Sequence, residues 1–124
     1  MKNKTFTWQL IIASLLGSTA VMLAAVGAHM LKNILTPERL HAFNTATDMQ
    51  LFHSIVLLVL AFQTQKSSGF RLSYYLILGG ILCFSFSIYG LVSGLIYLGP
   101  VTPLGGVLLI LGWLSLIPAG LRKS

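Results

Sequence analysis

Apolar residues run through this chain in long blocks without charge, and those blocks set its elements. Between Lys4 and Lys32 lie 27 residues without an acid or a base, between Asp48 and Lys66 lie 17, and between Arg71 and Arg122 lie 50. A hydrocarbon core of ~30 Å needs about 20 helical residues. The first block therefore predicts one span over about 8–28, opening on Trp8. The 50-residue block is too long for one helix and breaks at Gly99-Pro100-Val101-Thr102-Pro103, where two prolines cannot sit in a continuing helix interior. Spans over about 73–98 and 104–121 follow, joined by a short uncharged hairpin.

The 17-residue block is short for a span, but its helix starts upstream. Thr36 is suited to be an N-cap, Pro37 to the first helical position and Glu38 to the first turn. One helix is predicted from Pro37 to about Gln63, with 42–63 as its spanning part. The expected fold is all-α, an integral membrane four-helix bundle filling residues 1–124 as one domain.

Composition narrows the class. Ten residues (8%) are charged and 56% are hydrophobic, against roughly 25% charged in a soluble domain. A soluble enzyme, a nucleic-acid-binding domain and a disordered tail are excluded for want of polar surface. The net charge of +6 marks span ends, not a nucleic-acid partner. With the N-terminus inside, Lys2, Lys4, Lys66, Arg71, Arg122 and Lys123 are cytoplasmic, and only Lys32 and Arg39 lie opposite. Both termini are therefore expected in the cytoplasm of a multi-pass cell-membrane protein. Lys2, Lys4 and the run ending in Ala25-Val26-Gly27-Ala28 imitate a secretory signal, but the run is long for one and three further spans follow. A lone Cys83 without a CxxC pair excludes a dithiol oxidoreductase.

Helices in lipid associate through close approach of small residues. The first span carries Ala13 and Gly17, then Ala20, Ala24 and Ala28 at fourfold spacing. The third has the GxxxG pair Gly90 and Gly94, with Gly79 and Cys83 on much the same side, and the fourth has Gly105, Gly112 and Ala119 seven apart. These stripes are expected to pack the bundle.

Ionisable and amide groups at membrane depth are costly and mark candidate sites. At 100° per residue, Arg39, Ala46, Gln50 and His53 share one face of the second helix, and His41, Thr45, Asp48 and Phe52 the opposite one. The first stripe is expected to face the bundle and to meet His29 from the end of the first span. His29, Arg39, Gln50 and His53 are thus the candidate intramembrane cluster, with Asp48, Ser85, Ser87 and Tyr89 secondary. The economical arrangement is a hydrogen-bond network joining Ser85, Ser87 and Tyr89 to Gln50 or His53. Metal-ligand spacing is lacking among His29, His53 and Asp48, so neither a metal nor a cofactor is expected.

Several segments are similar to those of one family. Gly27-Ala28-His29 resembles its GAFGAH motif, and Thr36-Pro37-Glu38-Arg39-Leu40 with Phe43, Thr45-Ala46 and Gln50 to His53 resembles its PxRLxxFxTAxxYQxxH segment. Phe84-Ser85-Phe86-Ser87-Ile88-Tyr89 resembles FSGSLY, and Leu98 to Gly106 with Gly112-Trp113 resembles LGxxTPxGG…GW. The chain thereby resembles the YgdD/YwdK-type family of small bacterial membrane proteins, which has an animal relative. It departs at Ala24 and Val26, at Met49 in place of an aromatic, and at Phe86 in place of glycine. The resemblance implies four spans and the polar positions His29, Arg39, Gln50 and His53, and it supplies no substrate.

The residues form no paired carboxylates, Ser/His/Asp order or ligand cluster, so an enzyme is not expected. The favoured reading is a non-enzymatic protein supporting membrane integrity or a larger complex. Its partners are the lipid bilayer and either further copies of itself or another membrane protein. The alternative is a small oligomeric transporter or channel with a polar path at Gln50 and His53. Unlike small multidrug exporters, however, the first span carries no carboxylate.

Overall fold

Asn3 starts the first helix: its side chain accepts the Phe6 N–H at 2.7 Å, and α1 runs Lys4–His29. It begins four residues ahead of Trp8 because the cap, not the last charge, sets its start. A 3₁₀ turn at Leu31–Asn33 leads to Thr36, whose hydroxyl caps Arg39 N at 3.3 Å, and α2 follows over Pro37–Gln63 as the capping residues predict. The third helix, α3, spans Gly69–Val92, and α4 spans Val101–Lys123 after a 3₁₀ turn at Ile96–Leu98. Pro103 falls in the first turn of α4, where no intrahelical N–H partner is required. The structure, a computed structural model, is described over residues 3–123. Lys2, one of the bases that bear on orientation, lies outside the described residues.

All four helices are long and apolar enough to cross a membrane. Each packs on its neighbour in sequence, most extensively α3 on α4. The central pair is α2 and α3. A groove lined by Ile12, Leu15, Leu16, Leu78 and Leu82 separates α1 from α3, and one lined by Ile55, Val59, Trp113 and Leu116 separates α2 from α4. The core is built from Ala13, Leu16, Leu57, Leu60, Ala61, Tyr74, Ile77, Ile81 and Leu109.

Missing Cβ atoms decide how closely α3 and α4 approach. A Cβ on Gly105 would overlap the backbone of Phe84 and lie 2.7 Å from the Cys83 carbonyl carbon. One on Gly112 would lie 2.5 Å from Ile77 Cγ1, and one on Gly80 would lie 2.6 Å from Leu109 Cγ. On α1, a Cβ on Gly17 would meet Ser54 Oγ at 3.3 Å. Gly80 makes the close approach on α3, whereas the neighbouring Gly79 would only touch Leu108 at 3.8 Å.

The GxxxG pair differs from its expected role. The third helix stops at Val92, short of 98, because Gly94 adopts φ +107°, a conformation that ends a helix and costs a glycine little. Its neighbour Leu95 returns its N–H to the Gly90 carbonyl at 2.9 Å. Gly94 is open on all sides, and Gly90 makes room for Leu98 of the following turn. The pair therefore shapes a helix end and its hairpin, not a helix–helix face.

Candidate functional site

Gln50 sits on α2 with no exposed surface, and all three of its neighbours come from other helices. Its amide nitrogen donates to the Leu16 carbonyl and to Thr19 Oγ1 of α1, both at 2.8 Å. Its amide oxygen accepts the Tyr89 hydroxyl of α3 at 2.6 Å. Thr19 passes its own proton on to the Leu15 carbonyl at 2.8 Å, so donors point one way from α3 through α2 into the α1 backbone. The Tyr89 ring is held against Phe43 and Phe86, with centroids 5.4 and 5.6 Å away. Both amide protons are used, and Gln50 has become the tie between three helices.

His53, one turn further along and 5% exposed, is tied elsewhere. Its Nδ1 lies 2.7 Å from the Met49 carbonyl, and Trp113 Nε1 of α4 donates to its Nε2 at 3.0 Å. A carbonyl only accepts and an indole N–H only donates. Nδ1 therefore carries the ring proton and Nε2 accepts: the two partners select one neutral tautomer. The rings of His53 and Trp113 meet edge to face at 5.9 Å. This hydrogen bond joins α2 to α4.

The remaining candidates separate from this pair. Tyr89 does reach Gln50, but Ser85 donates to the Ala46 carbonyl at 2.8 Å, and Ser87 pairs with Thr102 of α4 at 2.5 Å. Ser73 pairs with Ser115 further along the same α3–α4 contact, at 2.6 Å. His29 is the exposed last residue of α1, and Arg39 is exposed in the first turn of α2. Neither is brought to Gln50 or His53. Asp48 is exposed, 200° around α2 from Gln50, and so points away from the bundle with His41. Among the described residues no group of three His, Cys, Asp or Glu converges as a metal site.

Sequence reasoning missed a second buried amide. Gln9 on α1 is 2% exposed; its Oε1 accepts from Thr64 Oγ1 at 2.7 Å, and its carbonyl accepts the Tyr74 hydroxyl at 2.8 Å. Its Nε2 has no partner, while Thr64 also faces the Ala61 carbonyl at 3.0 Å with one proton for two acceptors. Turning the amide over lets Nε2 donate to Thr64 and Thr64 donate to Ala61. We assign that orientation, since it gives the buried Nε2 an acceptor and each Thr64 contact its own proton. The available signal was a glutamine inside a charge-free apolar block.

Taken together, the buried polar groups are cross-braces: α1–α2–α3 at Gln50, α2–α4 at His53, α3–α4 at the hydroxyl pairs and α1–α2–α3 again at Gln9. No solved structure matches this chain. Relatives are found by sequence. A UPF0382 membrane protein of Haemophilus influenzae is 39% identical over 94% of this chain and 92% of its own. The UPF0382 membrane protein YwdK of Bacillus subtilis is 33% identical over 91% of this chain and 95% of its own. One from Staphylococcus aureus, SAB0533, is 38% identical over 89% and 92%. Residues 23–106 match the model of a family described as a protein of unknown function, DUF423. All four helices are of spanning length, the buried hubs Gln50 and His53 fall within the matched residues, and the chain belongs to the DUF423/UPF0382 family of multi-pass membrane proteins.

Proposed function

We propose that this protein is a non-enzymatic component of the cell membrane, with both termini cytoplasmic, that supports a larger membrane assembly through its outer helix faces. One observation carries the reading. The polar groups that would have to line a transport path, Gln50 and His53, hold their hydrogen bonds inside the bundle, and Gln50 has no accessible surface. A path through them would have to break the contacts that join the helices.

The group left over faces outward. Asp48 lies two residues from Ala46, whose carbonyl is bonded by Ser85 seven residues before the end of α3, and 11 residues from the start of α2. That places it roughly 16 Å along the helix, with the apolar Ile88, Leu91 and Val92 of α3 nearer the end. An acid at such depth normally faces protein or water, not lipid. The same outer face continues through Phe52, Ile55 and Val59, all more than half exposed. A neighbouring membrane protein carrying a cation or a hydrogen-bond donor at that level satisfies Asp48. A second parallel copy sets Asp48 against its twin.

Two measurements test this. Proton or solute flux into proteoliposomes holding the native protein should equal that of empty liposomes; a native flux abolished by His53→Ala or Gln50→Met would establish transport. A photo-crosslinker replacing Phe52 should trap one defined membrane protein in cells, and Asp48→Leu should abolish that adduct. Self-adducts that persist in Asp48→Leu would instead make the face a homo-oligomer contact.

A further inference from the structure

The charge of this chain is concentrated at one end. Lys4 opens α1, Lys66 lies in the link between α2 and α3, Arg71 is in the first turn of α3 and Arg122 is in the last turn of α4, and all four are exposed. Asn3 donates to Gln65 at 3.0 Å and Gly69 touches Ala119, which places these segments at the same end of the bundle. The chain has two acidic side chains, Glu38 and Asp48, and both lie in the half of α2 remote from that end. The cations there have no acidic side chain to neutralise them.

Among them the bundle has a recess. Between the start of α3 and the last turns of α4 is a cavity of about 170 Å³ walled by Ser68, Leu72, Ser115, Pro118 and Arg122. The helices meet there through Gly69 and Ala119, so closely that a Cβ added on Gly69 would lie 3.3 Å from the Ala119 Cα. Pockets that enclose a whole ligand run to about 300–1,000 Å³, so this one is sized for one end of a larger molecule. Among its lining residues Arg122 carries a guanidinium, a planar fork suited to phosphate oxygens, and Ser68 a hydroxyl. Leu72 and Pro118 form its apolar side. A charged end group with an apolar continuation, met at the end of a spanning helix pair, describes one class of molecule.

We propose that the α3–α4 recess binds the phosphate headgroup of an anionic phospholipid, with Arg122 as its principal contact and Lys66 and Arg71 contributing only to the surrounding field. The bundle's other end, with Lys32 and Arg39 beside Glu38, offers no equivalent excess of charge. Whichever side of the membrane it faces, this end closes four helices of spanning length and so lies at a membrane–water boundary.

The test uses the full-length protein in a neutral detergent, titrated with phosphatidylglycerol or phosphatidylcholine while thermal unfolding is followed. Half-maximal stabilisation should need about tenfold less phosphatidylglycerol than phosphatidylcholine. Arg122→Gln should remove most of that preference, Arg122→Lys should keep part of it, and Lys66→Gln and Lys32→Gln should change it less than about twofold. Equal responses to the two lipids would overturn the proposal. An equal loss in Lys66→Gln and Arg122→Gln would also overturn it, replacing the recess with a diffuse basic surface. Glycerol phosphate in solution should give no stabilisation at the same concentration; if it matched the lipid, the ligand would be a free organophosphate.

Discussion

If Gln50 ties three helices together, removing its amide should destabilise the bundle by an amount that depends on Tyr89. Gln50→Met preserves an unbranched side chain of similar volume and deletes the bonds to Leu16 O, Thr19 Oγ1 and Tyr89 Oη. Side-chain hydrogen bonds between spanning helices average about 0.6 kcal/mol and reach about 1.7, so the three contribute about 2 kcal/mol and at most about 5. The groups left behind fare differently. Thr19 keeps its bond to the Leu15 carbonyl, whereas the Tyr89 hydroxyl has Gln50 as its hydrogen-bond acceptor and is left bare. Tyr89 is half-buried, and an orphaned donor there costs a further ~1 kcal/mol, the low end for a buried one. Tyr89→Phe alone removes one bond and should cost about 1 kcal/mol. The double variant has no bare hydroxyl, so it should be more stable than the sum of the single losses predicts, by at least about 1 kcal/mol. Reversible unfolding in mixed micelles, followed by helicity, measures all four corners of this cycle. Additivity within about 0.5 kcal/mol would mean that Tyr89 and Gln50 are not bonded, and the account of Gln50 as a hub would fail.

Other sites give sharper contrasts. Gly105→Ala should destabilise by about 3 kcal/mol, the upper part of the overpacking range, because the new methyl meets the α3 backbone at Phe84 and Cys83; Gly120→Ala, with nothing within 4 Å, should gain ~0.4–1 kcal/mol. Unfolding of the two variants side by side checks this, and similar values would refute the α3–α4 contact. Gln9→Met should cost no more than about 1 kcal/mol, less than Gln50→Met, since Thr64 retains the Ala61 carbonyl. Nitrogen-15 spectra of the imidazole should show His53 protonated at Nδ1 and bare at Nε2, and Trp113→Phe should shift the Nε2 resonance; an unmoved resonance would remove the α2–α4 bond.

Local signals were legible in the sequence wherever the chain itself supplies both partners. Thr36 and Pro37 announced α2 because a cap and its helix are adjacent residues. The number of helices followed from charge-free length and the Pro100–Pro103 break, both one-dimensional properties. Four-residue spacing of glycines was ambiguous in principle, since it serves helix packing and helix termination alike. Gly90 and Gly94 end a helix and fit its hairpin, whereas Gly105 and Gly112 admit a neighbouring helix. The pattern cannot distinguish these roles, because the difference lies in backbone dihedrals and in what stands opposite.

Partners separated by whole helices were harder to read. That His53 and Gln50 face inward follows from α2's own periodicity, yet His53 meets Trp113, 60 residues later, and nothing in the spacing of either residue points to the other. The expected meeting of His29 and Arg39 with Gln50 assumed that polar groups near one membrane boundary gather together. Energetically the reverse holds at helix ends. An exposed His29 or Arg39 can keep its hydrogen bonds with water at a boundary, whereas Gln50 in mid-helix has only protein to bond to. The same cost assigns roles along α2. Gln50 and His53 are compelled inward and bonded by their depth, so their presence is explained by folding alone. Asp48 is comparably deep but faces outward, and nothing within the described chain compensates its charge. A group whose burial is already explained makes a weak marker of activity, so the outer face of α2 is the more informative place to look for what this protein does.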